Sequence, residues 1–239
     1  DEEDEDNKSY LHRFNLYFHG MKGNYKTTDV KAAYINQLLK VGFDTLDFGS
    51  FVSPKAIPQM QDTAEVLRQL DLSATKSKLL AIIANERGAA DAAQFEEITY
   101  LGYPFSISET FQLRNTNATI EESAERVRAI QDICEKHHKT VVLYISMGFG
   151  NPYGDPWNVE IVQKWVDVLV EMGIRIFHLL NCAIVNQSAF FEFTQNVRAR
   201  IHAKSAGNAT HLKAFAYVDS SRTNQVTHIT IYAIPAVFK

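Results

Sequence analysis

Residues 44–60 read DTLDFGSFVSPKAIPQM. The first part continues from GFD into an apolar run, the signature of a short buried strand. Two serines, a lysine and two prolines follow at once. Pro54 and Pro58 fix their own φ and cannot donate to a strand ladder, so the strand must end in a stiff polar elbow before any helix begins. An acidic side chain, Asp47, is left near the end of an apolar strand at the lip of that elbow.

The same order of strand, polar loop and helix recurs along the chain. Upstream, Thr28 and Asp29 open a helix whose apolar positions Val30, Ala33, Tyr34 and Leu38 follow a helical period. Downstream, Pro58 to Leu70 has helical character and SKLLAIIAN is a continuous apolar strand of the kind covered on both faces. GAADAAQF predicts a short helix and EITYLGYPFSI a strand with its loop. TIEESAERVRAIQDICEKH predicts a long helix that opens with a capping box, Thr119 to Glu122, and carries Ile120, Ala124, Val127, Ile130 or Ala129, and Cys134 on one stripe. KTVVLYISM, the turn-rich NPYGDP, the helix WNVEIVQKWVDVLVEMG ended by Gly173, and IRIFHLL repeat the unit once more. In that helix Val159, Val162, Val166 and Leu169 are expected to face inward. After His178 the periodicity is mixed, with SAFFEFTQNVRARIHAK as a helix and HLKAFAYV and THITIYAI as strands.

A β/α unit about every 35 residues implies parallel strands with right-handed crossovers. A TIM (β/α)8 barrel of about 250 residues or an open doubly wound sheet would satisfy it. No glycine-rich dinucleotide turn follows any strand, which favours the barrel, irregular at both ends.

The chain has 239 residues, of which 46% are hydrophobic, enough to bury a proper core. A net charge of -4 with no basic segment argues against a nucleic-acid partner. No apolar run reaches the length of a membrane span. Cys134 and Cys182 are too few for a disulfide framework and lack zinc spacing, so a reducing compartment is expected. The acidic start, DEEDEDNKSY, and NLYFHG, one residue from the protease linker NLYFQG, set residues 1–20 apart as an acidic tail or tag. Residues 21–239 are then expected to form a single domain.

In a β/α barrel the chemistry lies on the loops that leave the strand ends. Asp47, Ser50, Ser53 and Lys55 fall at one such end, Ser108, Glu109, Arg114 and Asn115 at another, and Tyr144 and Ser146 at a third. Each has a plain structural reading: a strand-end carboxylate paired to a lysine, hydroxyls that form turns, a packed tyrosine. Composition and spacing alone stop at a β/α enzyme-like domain.

Three stretches go further. GFDTLDFGSFVSPKAIPQMQDTAEVL, YPFSISETFQLRNTNATIEES and YISMGFGNPYGDPW together resemble the hydroxymethylglutaryl-CoA lyases, metal-dependent lyases on a TIM barrel, across about residues 28–178. The resemblance implies cleavage of 3-hydroxy-3-methylglutaryl-CoA to acetyl-CoA and acetoacetate with a divalent metal, Mg2+ or Mn2+. It implies catalytic roles for Asp47 and Tyr144, substrate contacts from Ser50, Ser53, Lys55, Ser108 and Ser146, and a metal ligand at His211. Lys213 stands where the lyases have the second histidine of an H-x-H pair, and the strand that should carry P-R-D lacks it. A related aldolase or 2-alkylmalate-type synthase, and an inactive acyl-CoA binding protein, stay open beside the lyase. A small acyl-CoA is the partner expected, in the cytoplasm or an organelle matrix, and a homodimer is an assembly open to it.

Overall fold

The computed structural model describes residues 27–181, 211–218 and 227–234. They fall into two compact units: one holds the chain up to Gly102 together with Asp132–Thr140, the other Tyr103–Gln131 and everything from Val141 onward. The helix expected over SAFFEFTQNVRARIHAK lies outside the described residues.

The first unit runs α1 (Thr28–Leu39), β1 (Thr45–Ser50), a 3-10 turn at Pro58–Met60, α2 (Thr63–Arg68), β2 (Lys78–Ile82) and α3 (Glu86–Ala93) into β3 (Ile98–Ser106). β1 pairs parallel with β2, and β2 parallel with β3. Leu46, Phe48, Leu79, Leu80, Ala81, Ile98 and Leu101 are buried, as continuous apolar strands demand. Asn85 caps α3 through its side chain, which accepts from the Gly88 amide at 2.9 Å.

Two expectations are corrected here. The inward face of α1 is Lys31, Ala32, Ile35, Leu38 and Leu39, whereas Val30 is 50% exposed and Ala33 also faces out. A lysine on the apolar stripe shifted the predicted phase by one residue. The helix expected from Pro58 to Leu70 is broken at Gln61 and Asp62, with the 3-10 turn before the break and α2 after it.

The second unit takes the end of β3, α4 (Glu109–Thr116), most of α5 (Ile120–Lys136), β4 (Thr140–Ser146) from Val141, α6 (Val159–Glu171), β5 (Ile176–Asn181), β6 (His211–Val218) and β7 (Thr227–Ile234). The capping box forms: Thr119 Oγ1 accepts from the Glu122 amide at 3.0 Å, and the Glu122 carboxylate accepts from the Thr119 amide at 2.8 Å. Ile120, Ala124, Val127, Ile130 and Cys134 are buried on α5. On α6 the buried set is Val162, Trp165 and Leu169, with Val159 and Val166 half-buried. Gly173, at φ 95°, ends α6; its amide donates to Val170 O at 3.0 Å and the Ile174 amide to Leu169 O at 3.1 Å.

β4 and β5 are parallel, but the next neighbour of β5 is β7, antiparallel, and β7 in turn pairs antiparallel with β6. HLKAFAYV and THITIYAI are therefore strands, joined as an antiparallel pair rather than through a helical crossover. The parallel β/α order of the second unit stops at β5, which is the irregularity expected at the far end.

Burial pushes the Cys134 thiol up to about 12, with Lys139 opposing the shift. At pH 8 only about one molecule in 10⁴ carries the reactive thiolate. Peptide-mapped alkylation with iodoacetamide should label Cys134 in the native chain at least ~10²-fold more slowly than in urea; equal rates would show that the site opens freely.

Candidate active site

In the first unit the site begins with an irregularity in β1. Asp47 pairs with Leu80 and Gly49 with Ala81, so Phe48 is the extra residue of a bulge. A bulge re-aims the side chains beside it, and Asp47 stands half-buried at this one. Ser50 follows, 2% exposed, and its hydroxyl finds no hydrogen-bond partner among the described residues. A buried hydroxyl left in that state gains most from a polar ligand group.

The elbow that follows is clamped from several directions. The Phe51 amide donates to Ile82 O at 2.7 Å, and the Phe51 ring lies 5.6 Å from that of Phe95. The Ser53 carbonyl accepts from the amides of Ala56 and Ile57 at 2.9 and 3.0 Å. Thr63 Oγ1 donates to Met60 O at 2.7 Å and accepts from the Ser50 amide at 3.2 Å. Two glycines make the fit possible. A Cβ on Gly49 would lie 2.5 Å from Thr63 Cγ2, and one on Gly88 would lie 2.4 Å from the Phe51 carbonyl oxygen. Ser53 and Lys55 are exposed on the elbow.

In the second unit three expected residues lie on or next to strand ends. Tyr144 stacks on His178 of β5 with ring centroids 5.0 Å apart. Ser146 is buried; its carbonyl accepts from the Ile107 amide at 3.2 Å and from Ser106 Oγ at 3.3 Å. Met147 then turns the chain at φ 59°, in the left-handed region that a methionine seldom occupies.

Ser108 follows β3 and precedes α4. It is 0% exposed and caps α4, its Oγ accepting from the Phe111 amide at 3.2 Å and donating to the Asp155 carboxylate. The hydroxyl thus joins the α4 N-terminus to the loop that carries Asp155. Asp155 also accepts from the Thr110 amide at 3.0 Å and from Thr110 Oγ1 at 2.8 Å. Asn151 fixes this acid from behind: its Oδ1 accepts from the amides of Tyr153 and Asp155, both at 3.0 Å, and its Nδ2 donates to Asp155 O at 2.9 Å. Arg114 lies 4.9 Å over the Tyr153 ring, which stacks on Phe111. The spacing N-x-Y-x-D was readable only as a turn, because an aspartate that caps a helix from another loop leaves no local pattern.

His211, the expected metal ligand, is the first residue of β6, where it pairs with Ile234, and Lys213 two residues on pairs with Tyr232. No group of three or more His, Cys, Asp or Glu that could hold a metal ion comes together among the described residues. No helix among them is long and apolar enough to cross a membrane.

The hydrogen bond from Ser108 is the main cause that holds the Asp155 carboxyl below its ordinary value; desolvation opposes it, and the bonds from Thr110 and the nearby Arg114 add to the lowering. A depressed carboxyl stabilises the fold above its unfolded pKa, and that contribution disappears as pH falls through the folded value. Asp155→Asn should melt several degrees below the parent chain at pH 7, the gap narrowing toward pH 3. A gap independent of pH in thermal scans would show that the charge plays no part.

No family model matches the chain. The hydroxymethylglutaryl-CoA lyase YngG of Bacillus subtilis is 31% identical over 147 residues, which is 62% of this chain and 48% of that protein. Among solved structures, the hydroxymethylglutaryl-CoA lyase of Pseudomonas aeruginosa superposes with a TM-score of 0.70 at 26% identity, covering 78% of this chain and 62% of that one. The HMG-CoA lyase of Acinetobacter baumannii, solved in complex with coenzyme A and 3-methylmalate, gives 0.69 at 25% identity, covering 76% and 59%. The chain spans about half the length of that Bacillus relative. Such lyases are TIM barrels, the α/β class expected from the sequence. Over the stretch they share, this chain is similar to hydroxymethylglutaryl-CoA lyases in both sequence and backbone.

Proposed function

We propose that this chain carries the chemistry of a hydroxymethylglutaryl-CoA lyase, cleaving 3-hydroxy-3-methylglutaryl-CoA to acetyl-CoA and acetoacetate. One observation carries the reading: a half-buried carboxylate at a strand bulge, beside a buried hydroxyl with no partner among the described residues and ahead of a clamped elbow. A retro-Claisen cleavage needs a base at the C3 hydroxyl. As that proton leaves, C3 becomes the ketone of acetoacetate, the C2–C3 bonding pair moves to C2, and the resulting enolate takes a proton there to become acetyl-CoA. In this reading Asp47 accepts the hydroxyl proton and Ser50 hydrogen-bonds a substrate oxygen. Ser53 and Lys55, exposed on the elbow, contact the thioester in this reading; substrate roles for Ser108, Tyr144 and Ser146, which belong to the second unit, rest on the resemblance alone.

A preformed elbow lowers the cost of ordering the site when substrate arrives, because Pro54, Pro58 and the bonds of Thr63 have already restricted it. Dependence on a divalent cation, Mg2+ or Mn2+, belongs to the proposal, as do a coenzyme A thioester as the partner, a homodimeric assembly, His211 as a ligand, and the cytoplasm or an organelle matrix as the location.

The purified chain should release acetoacetate from 3-hydroxy-3-methylglutaryl-CoA in the presence of Mg2+ or Mn2+ and lose that activity on chelation. Asp47→Asn should reduce turnover at least ~10²-fold; a near-normal rate removes Asp47 from the mechanism. Thioester binding without product would make the chain an acyl-CoA binding protein. Turnover only of another hydroxy acid or a 2-alkylmalate would make it a related aldolase or synthase.

A further inference from the structure

Lys31 is 5% exposed on the apolar face of α1. Its ammonium donates to the Gln59 carbonyl and, at 2.6 Å, to Asp62 Oδ1. The other oxygen of Asp62 accepts from Thr28 Oγ1 at 2.7 Å, so both carboxylate oxygens are held by α1. The side chains of the pair are 7% and 15% exposed. A buried ion pair is a poor source of net stability, since desolvation offsets most of the attraction. What this one does is geometric.

Gln59 lies in the 3-10 turn that closes the elbow, and Asp62 is the residue before α2. The Asp62 carbonyl accepts from the amides of Glu65 and Val66, both at 2.9 Å, so holding Asp62 also fixes the first turn of α2. The next residue, Thr63, ties the Ser50 amide to the Met60 carbonyl and fills the space that Gly49 leaves open. A continuous path thus runs from the Lys31 ammonium through Asp62 and Thr63 to the Ser50 amide at the end of β1, the strand that carries Asp47. An apolar side chain of the same length would fill the volume of Lys31 and leave the Gln59 carbonyl without its donor.

We infer that Lys31 and Asp62 are positioning residues: the pair sets the separation of the elbow's last turn from α2 and, through Thr63, the aim of Asp47 and Ser50. The catalytic part of this inference rests on the proposed lyase reading, while the positional part does not. Two variants separate positioning from stability. Lys31→Met strands a buried carboxylate and should lower the melting temperature by roughly 10 °C. Lys31→Met/Asp62→Leu replaces the pair by apolar side chains and should recover most of that loss. In both, peptide-resolved hydrogen exchange over residues 49–63 should quicken at least ~10-fold while residues 78–82 stay unchanged. With 3-hydroxy-3-methylglutaryl-CoA, kcat should fall at least ~10-fold with KM within about threefold.

A double variant with parental exchange over 49–63 and parental kcat would overturn the inference and reduce the pair to filler. A parent chain that releases no acetoacetate would sink the lyase reading instead, and the exchange measurement would then decide alone. Thr28→Val, which strips one bond from Asp62 and spares the pair, gives a milder variant if neither of the others folds. It should raise exchange over 49–63 about two- to threefold, and no rise would overturn the inference.

Discussion

The hydroxyl of Thr63 is the junction on which the first unit depends. It is buried, donates to the carbonyl that ends the 3-10 turn, and accepts from the last amide of β1. Parallel strands leave their terminal backbone groups to be satisfied by whatever follows them, and here a side chain from the next helix takes that place. The threonine side chain sits where Gly49 has none, so α2 packs its first residue directly against the strand end. The bulge at Phe48 lies immediately before this contact.

The second unit solves an equivalent problem with charge. Its β3–α4 loop and its β4–α6 loop would each be free to move as a short polar segment. Asp155 gathers donors from the first onto an acid of the second, and Asn151 stiffens that acid's own loop. The arrangement resembles an N-cap supplied from a distance, where the helix dipole and the donor groups favour the same charge. Both units therefore fix their loops by spending polar side chains inside the protein, leaving Ser50 Oγ as a buried hydroxyl with no partner among the described residues.

Much of this was legible in the letters. Continuous apolar runs marked β1, β2 and β4, and the capping box at Thr119 fixed the start of α5 because its signal is local, four residues long and chemically reciprocal. Gly173 announced the end of α6 for the same reason. What stayed hidden shares a cause. The expected phase of α1 left Lys31 off the inward face, where lysines are rare and only the distant partners Gln59 and Asp62 allow this one. Ser108 gives no local sign of its bond to Asp155, which comes from another loop. Ligand contacts and capping contacts use the same residue types, so sequence alone does not separate the two duties. The antiparallel pairing of β7 with β5 was likewise invisible, because periodicity marks a strand but not its direction.

The first unit is not one uninterrupted piece of chain: it takes back Asp132–Thr140 after the polypeptide has left it at Gly102. Within the returning segment Cys134 is buried, and Lys139 donates to the Phe95 carbonyl just beyond α3 at 2.7 Å. On a ribosome, which releases the chain from its N-terminus, the early half must wait until about forty more residues have appeared before that contact can form. During the wait its newly made strands hold apolar faces still lacking part of their cover, the interval in which chaperones act and in which a pause in translation would matter most.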